Sequence, residues 1–201
     1  KYICCNADEG DSGTFADRML MEGDPFALIE GMAIAGHAIG ADKGYIYIRS
    51  EYPHAVATMR RAVEIWHAAK LSNFRIEIRM GGGAYICGEE SSMLESLEGK
   101  RGQVRAKPPI PAISGLFGKP TVVNNVLTLA AVGDILAKGA AHYRDFGMGR
   151  SRGTQAFQLA GDVARGGLVE KAFGVSLREL IEDFGGGTRS GKPLRAVQAG
   201  G

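Results

Sequence analysis

The sequence of 201 residues has few cysteines, little net charge and no long apolar run, and each shortage excludes a class of protein. Of its three cysteines, Cys4 and Cys5 are adjacent, so we expect a reducing compartment and no disulfide framework. A formal net charge of +2 gives no indication of binding to nucleic acid. No apolar run approaches the roughly 18 residues of a membrane-spanning helix, so we expect no direct membrane span.

What remains is the composition of an ordinary globular protein, with 45% hydrophobic and 23% charged residues. The four histidines show no metal-ligand spacing, so no metal site is expected in this stretch. Both ends look like interrupted structure. Residues 1–5 resemble a strand already under way without an initiator Met, and residues 196–201 stop on a strand and its turn. We therefore expect an internal piece of a longer protein.

Strand-like and helix-like segments alternate along the first part of the chain. Strands are predicted at residues 1–5, 44–49 and 74–79, and helices begin at Pro25 and Pro53, where proline suits the first turn. This alternation predicts an α/β fold with a parallel sheet. In such sheets ligands bind at the carboxyl ends of the strands.

The rest of the chain has a different pattern. Residues 121–138 are predicted to be a helix and residues 147–153 a linker. The following elements are predicted strands at 157–163 and 167–173, a helix from the capping box of Ser176 and Glu179, and a strand at 194–198. The order strand, strand, helix, strand predicts a small β-grasp-like unit.

The most informative segment is residues 81–90, which carries three glycines in a row and ends in Gly88-Glu89-Glu90. A glycine-rich turn between a strand and a helix lets a ligand approach the backbone closely. The two carboxylates would repel a phosphate and suit hydrogen-bond donors, such as ribityl or ribose hydroxyls, an amide or water. The alternative is a helix start whose acids complement the helix dipole.

Three further segments each have a functional and a structural interpretation. Residues 6–13 hold three acids and Asn6, and they are either part of a binding site or a solvated turn. Asn124-Asn125 either cap a helix or offer amides to a ligand such as a flavin. The basic, proline-rich stretch around Lys107 is either a rigid spacer with solvated charges or faces a phosphate.

Taken in order, these motifs resemble one family, the NADH-oxidising flavoprotein subunit of respiratory complex I. The family includes the diaphorase subunits of NAD-linked hydrogenases and the beta subunits of soluble NAD-dependent formate dehydrogenases. The resemblance covers essentially the whole chain, and residues 7–26 look closest to the formate dehydrogenase branch. The motifs that carry it are residues 5–9, 85–90, 97–101, 107–109 and 118–126.

The resemblance implies an FMN on the carboxyl edge of the sheet and an NADH stacked on it. The flavin N5 would accept the hydride, so no side chain is required for acid–base chemistry. The implied FMN residues are Asn6, Asp8, Glu9, Gly88, Glu89, Glu90, Val123, Asn124 and Asn125. The implied NAD residues are Asp11, Tyr85, Lys107 and Glu90, the last of which would position the nicotinamide.

The resemblance also implies a domain organisation and partners. Residues 1–150 would form a Rossmann-like FMN- and NADH-binding α/β domain without its N-terminal glycine-rich loop. Residues 151–201 would form a partial β-grasp (ubiquitin-like) domain, and the 4Fe–4S cluster would lie only in the longer parent. The expected partners are NAD(H), a small 2Fe–2S subunit and an electron-donating catalytic subunit, in the cytoplasm or peripheral on the cytoplasmic side of the membrane.

We therefore predict an oxidoreductase that transfers hydride between NAD(H) and FMN. The formate dehydrogenase branch is favoured over complex I or a hydrogenase diaphorase. The rival hypothesis is a non-catalytic module that binds partner subunits and holds no flavin. Flavin absorbance of the purified protein distinguishes the two.

Overall fold

The computed structural model describes residues 1–200, which divide into two compact units. The first contains residues 1–10 and 17–134, and the second contains residues 11–16 and those from 135 onward. The strands of the first unit are β1 (Tyr2–Ala7), β2 (Lys43–Ile48), β3 (Arg75–Met80) and β4 (Thr121–Asn125). The helices in this part of the chain are α1 (Ala16–Gly23), α2 (Pro25–Ile39), α3 (Pro53–Ala69), α4 (Glu90–Leu97) and α5 (Val126–Lys138).

The four strands form one parallel sheet in the order β3-β2-β1-β4, which confirms the predicted α/β fold. Alternate strand residues enter two apolar layers, because successive side chains of a strand point to opposite faces. Ile46 and Ile48 of β2 belong to the larger layer, together with residues of α2 and α3. Tyr45 and Tyr47 belong to the smaller layer, which includes Met93 and other residues near α4.

Local signals set the helix ends. Asp24 caps α2 by accepting the Ala27 N–H at 3.2 Å, and Pro25 occupies the first turn. Gly40 ends the helix in the left-handed conformation at φ 67°, which glycine adopts without steric cost. In the middle of α2, a Cβ on Gly31 would overlap the Leu129 carbonyl oxygen, so α2 and α5 approach closely at this point.

The predicted helix at residues 121–138 is wrong over its first five residues. Thr121–Asn125 is strand β4, which pairs in parallel with β1 from Tyr2↔Thr121 to Asn6↔Asn125. Thr121, Val122 and Val123 are β-branched, and such side chains favour the pleated surface of a sheet over a helix. The helix begins at Val126, directly after the asparagine pair.

The second unit contains short strands and helices of its own. The elements are α6 (Ala140–Asp145), β5 (Gly147–Met148), β6 (Ser151–Arg152), β7 (Thr154–Leu159), β8 (Gly167–Ala172) and α7 (Leu177–Glu179), with a π-helical continuation at Leu180–Phe184. Strands β7 and β8 pair antiparallel, and the capping box of Ser176 and Glu179 is confirmed. The predicted linker at 147–153 is wrong, because β5 and β6 form a small antiparallel pair there.

The strand predicted at residues 194–198 is also wrong. In the described chain these residues adopt no regular structure and pair with no strand. An extended segment without a hydrogen-bonded neighbour gains none of the ladder bonds that stabilise a strand. The described residues therefore show a hairpin followed by a helix, and they do not show the complete β-grasp order.

Candidate functional site

Polar residues meet at the carboxyl edge of the parallel sheet, as the sequence predicts. Asp8 and Glu9 follow β1, Arg49 follows β2 and Gly81 follows β3. Strand β4 ends in Asn124 and Asn125, and Asn125 lies in register with Asn6 of β1. These groups share an edge because the strands are parallel and end together.

Asn6 ties the end of β1 to the glycine-rich loop. Its Nδ2 donates to the Gly88 carbonyl oxygen at 2.8 Å, and its Oδ1 accepts the Asp8 N–H at 3.2 Å. Gly88 is exposed, and a Cβ there would lie 3.4 Å from the Asp8 carbonyl oxygen. The Asn6 side chain thus connects the loop after β1 to the loop after β3. Beside it, the backbone of Gly88 is exposed.

Glu89 is the N-cap of α4. Its Oε2 accepts the backbone N–H groups of Ser91 and Ser92, both at 2.9 Å, and the Ser91 hydroxyl at 2.5 Å. Burial by itself would raise the pKa of Glu89, but these bonds and the Lys107 ammonium lower it to about 2. The carboxylate is therefore ionised and engaged, which agrees with the helix-start interpretation for this residue.

Glu90 and Lys107 form the outer part of the same cluster. Lys107 Nζ lies 2.5 Å from Glu90 Oε1 and 3.0 Å from Glu89 Oε1. The hydrogen bonds that Lys107 donates to Glu90 and to Glu89 raise the pKa of Lys107, so it remains a cation. The long loop after α4 thereby reaches back to the glycine-rich turn through one ion-paired lysine.

Two other basic residues between α4 and β4, Arg105 and Lys100, also form ion pairs with glutamates. Arg105 Nε lies 2.5 Å from Glu95 Oε1, and Arg105 Nη2 lies 2.8 Å from Glu98 Oε1. Lys100 lies 2.8 Å from Glu98 Oε2. These positive charges are balanced by acids of α4 and the turn after it, whereas Lys107 reaches Glu89 and Glu90.

The Glu9 side chain is buried, and its carboxylate is hydrogen-bonded within the protein. It is 8% exposed, and its carboxylate accepts the N–H groups of Asp17 at 3.0 Å and Arg18 at 3.2 Å. The Tyr52 hydroxyl donates to it at 3.1 Å, and the Glu9 carbonyl oxygen accepts from Arg49. The loop after β1 is therefore an ordered structure and not merely a solvated turn, and both the carboxylate and the carbonyl oxygen of Glu9 are already hydrogen-bonded within the protein.

Sequence reasoning missed Asp17, which lies beneath this edge in the first turn of α1. It is 5% exposed and accepts a hydrogen bond from Asn125 Nδ2 at 2.7 Å. Burial and then the nearby Glu9 charge raise the pKa of Asp17 to about 7, against the lowering effect of the Asn125 bond. No spacing in the sequence marks this contact, because 108 residues separate the partners.

Two predicted site residues keep their polar side chains available. Asp8 and Asn124 make no side-chain hydrogen bond to any residue in the described range 1–200. Burial raises the pKa of Asp8, partly offset by the Arg49 charge. Arg49 also has a buried Nε without a hydrogen-bond partner in the described chain. A carboxylate and an amide are thus left for a polar ligand, beside one buried guanidinium nitrogen without a partner in the described chain.

The remaining predicted residues lie in varied places. Val123 packs against the smaller apolar layer, so only its backbone belongs to the edge. Tyr85 is 70% exposed, and a Cβ on Gly10 would lie 2.8 Å from its ring. Asp11 groups with the second compact unit. Contacts or strand register thus connect Asn6 with Gly88 and Asn125, and Lys107 with Glu89 and Glu90, within the first unit, whereas Asp11 is not among the residues of that unit.

A metal-ligand cluster and a membrane-spanning helix are both absent from the described residues. Across residues 1–200 no three His, Cys, Asp or Glu side chains come together as ligands for a metal ion. None of the helices in that range has both the length and the apolar character needed to cross a membrane.

The chain is similar to known proteins over most of its length. Residues 1–134 match the family model described as the Nuo51 FMN-binding domain. The chain is 50% identical to an NADH-quinone oxidoreductase subunit of Rhizobium meliloti (strain 1021), with 100% of this chain and 50% of that protein aligned. It is 47% identical to the NADP-reducing hydrogenase subunit HndC of Solidesulfovibrio fructosivorans, over 100% of this chain and 43% of that protein.

A solved structure agrees with the fold. The crystal structure of an NAD+-reducing [NiFe]-hydrogenase in the H2-reduced state superposes with a TM-score of 0.88 at 44% identity. The alignment covers 94% of this chain and 33% of that one. The chain spans about half the length of the curated relatives it matches.

Proposed function

The chain belongs to the family of the Nuo51 FMN-binding domain, and we propose that it forms the part of an NADH-oxidising flavoprotein that holds FMN and brings NAD(H) to it. The carboxyl edge of the first unit carries this proposal. Asp8, Asn124 and the bare backbone of Gly88 belong to the segments that end or follow its strands, and the side chains of Asp8 and Asn124 make no hydrogen bond in the described chain. The family resemblance of the sequence predicts flavin-binding groups at these same three residues.

The residues at this edge fit the hydrogen-bonding groups of FMN. An isoalloxazine edge alternates C=O and N–H groups, which amides match, and the ribityl chain offers hydroxyl donors, which carboxylates accept. Asn124 supplies such an amide, and Asp8 supplies such a carboxylate. The Gly88 backbone is exposed and has only one neighbouring atom where a side chain would be, so a flat ring system has room beside it.

Bound FMN would supply the redox chemistry, since its N5 accepts hydride from a dihydronicotinamide. The protein residues bind and orient. Asn6 connects the loops after β1 and β3, and Glu89 caps the start of α4. Asn125, at the end of β4, donates a hydrogen bond to Asp17 of α1. The Gly88, Glu89 and Val123 backbones would line the flavin, and Glu9 would contribute through its loop rather than its carboxylate.

The NAD(H) side of the site is proposed at Glu90, Lys107 and Tyr85. Glu90 is half-buried, and its carboxylate is held by a lysine on a long loop. A carboxylate there would accept hydrogen bonds from the nicotinamide nucleotide and position its ring against the flavin. Tyr85 presents an exposed aromatic ring beside Gly10. Asp11 remains a proposed NAD residue from the family resemblance alone.

We further propose a place for this chain in a larger assembly. The names of the relatives describe subunits of NADH-quinone oxidoreductases and hydrogenases, which supports a multi-subunit redox complex. A soluble NAD-dependent formate dehydrogenase remains our preferred branch, on the pattern of residues 7–26. The β-grasp domain at 151–201, a 4Fe–4S cluster in the longer parent, a small 2Fe–2S subunit and a cytoplasmic location belong to the same proposal.

The test is the identity of the bound chromophore in the full-length protein, released by acid and separated by chromatography. We expect FMN, and Asp8→Ala together with Asn124→Ala should lower the flavin content severalfold. Glu64→Gln, an exposed acid on α3, is the matched control and should leave it unchanged. Release of FAD would contradict the proposal, and a full-length protein without flavin would favour the non-catalytic module instead.

A further inference from the structure

Two buried carboxylates lie together where α1 meets the carboxyl edge of the sheet. Glu9 and Asp17 are the buried acids within residues 1–200, and the Glu9 carboxylate accepts the Asp17 N–H at 3.0 Å. The burial of the Glu9 carboxylate is explained by the hydrogen bonds that it accepts from the start of α1. Asp17 instead uses its carboxylate on strand β4, where it accepts from Asn125. Burying a carboxylate costs free energy even when the carboxylate is hydrogen-bonded. The contact between Asp17 and Asn125 therefore suggests a role beyond stability.

The Asn125 amide is held at both of its ends. Its Nδ2 donates to Asp17 Oδ2 at 2.7 Å, and its Oδ1 accepts the backbone N–H of Leu127 at 2.9 Å. Turning the amide over would set its oxygen against an ionised carboxylate and its NH2 group against an N–H. An ionised Asp17 therefore selects one orientation. A protonated Asp17 carries both a donor and an acceptor, so it favours one orientation of the Asn125 amide much less strongly.

We propose that Asp17 is a positioning residue for the flavin: its carboxylate holds the Asn125 amide in the orientation that the flavin requires and loosens that hold when it takes up a proton. This inference rests on the proposed function, because it needs a flavin beside Asn125. Asn125 is exposed and retains a second N–H that neither of its two bonds uses. Asp17 acts only through this amide and does not touch the reacting atoms.

The surroundings of Asp17 bring the proton uptake close to neutral pH. Burial and then Glu9 raise the pKa of Asp17 to about 7. The titratable groups that face it are Glu9, from the loop after β1, and Cys5, on β1 itself. Burial raises the pKa of Cys5 well above its usual value, so this group stays a neutral thiol throughout the range in which Asp17 titrates.

The test is the affinity of the deflavinated full-length protein for FMN, measured by quenching of flavin fluorescence from about pH 5.5 to about pH 8.5. The wild type should bind about tenfold more tightly once Asp17 is ionised, the scale of one charge-assisted hydrogen bond. Asp17→Asn is uncharged at every pH and should lose this step. Glu22→Gln, an exposed acid on the same helix, should keep it. The FMN phosphate titrates equally in all three proteins and cancels in the comparison.

A double-mutant cycle separates positioning from a purely structural role. If Asp17 acts through Asn125, then Asn125→Ala also removes the step, and adding Asp17→Asn lowers the affinity no further. A step that survives in Asp17→Asn, or losses that simply add, would overturn the proposal. So would a lower Tm of Asp17→Asn with an unchanged pH profile. A wild type that binds no FMN at any pH would refute the proposed function instead, so the two failures are distinguishable.

Discussion

Replacing Glu9 by alanine should destabilise the fold more than it disturbs the chemistry. The Glu9 carboxylate is buried and accepts three hydrogen bonds, from the Asp17 and Arg18 backbones and from the Tyr52 hydroxyl. The variant removes the carboxylate acceptor of two N–H groups at the start of α1 and the shorter of the two contacts that the Tyr52 hydroxyl makes with Glu9, while the 3.5 Å contact with the Glu9 carbonyl oxygen stays. It also removes the negative charge that raises the pKa of Asp17.

These contributions have opposite signs, and their magnitudes decide the result. Loss of a helix cap costs about 1 kcal/mol, and up to about 2 kcal/mol in a buried setting. Loss of the Tyr52 hydrogen bond to the carboxylate costs about 1 kcal/mol more. Relief of the repulsion between Glu9 and Asp17 offsets less than about 1 kcal/mol at a screened separation. The expected net loss in the free energy of unfolding is therefore about 2 kcal/mol.

Urea denaturation of the full-length protein, followed by circular dichroism, measures this loss. Glu22→Ala on the same helix is the control, because its side chain is exposed. The Glu9→Ala protein that remains folded should bind FMN with nearly wild-type affinity. Unchanged stability together with a large loss of FMN affinity would refute the assignment of Glu9 as a helix cap and make its carboxylate a ligand-binding group.

Three further predictions follow from the same structure. The folded pKa of Asp17, about 7, lies above its ordinary value of 3.8, so the folded chain keeps a proton that the unfolded chain releases. The free energy of unfolding should therefore fall by up to about 4 kcal/mol as pH rises from about 4 to about 7, and Asp17→Asn should remove this fall in denaturation measured across pH. Gly31→Ala should cost about 3 kcal/mol or prevent folding, because its Cβ overlaps the Leu129 carbonyl, whereas Gly23→Ala has open space and should be nearly neutral by the same assay. Glu90→Gln should slow NADH-dependent flavin reduction about ten- to hundredfold in stopped-flow measurements and leave flavin content unchanged, whereas an unaltered rate would remove Glu90 from the nicotinamide site.

The sequence pattern was sufficient for the parts of the fold that depend on local order. Alternation of strands and helices predicted the parallel sheet, and parallel strands necessarily bring the loops after Ala7 and Met80 to one edge. Pro25, Gly40 and the Ser176 capping box mark helix ends through contacts within a few residues. Such signals are readable because both partners lie in the same short segment.

The failures depend on contacts between distant parts of the chain. Residues 121–125 form a strand because β1 offers them a ladder, and residues 194–198 form none because they have no partner in the described chain. Glu9 and Glu89 remain predicted flavin residues, and the sequence alone did not show that the Glu9 carboxylate also accepts the N–H groups at the start of α1. Asp17 escaped notice because its partner, Asn125, is brought to it only by the sheet.

Anaerobic titration of the full-length protein with NADH tests the central claim most directly. If the carboxyl edge of the first unit holds FMN and brings a dihydronicotinamide to it, NADH should bleach the flavin absorbance to the same extent as dithionite. The Glu90→Gln protein should reach the same endpoint more slowly. A flavin that dithionite reduces but NADH does not would contradict the account.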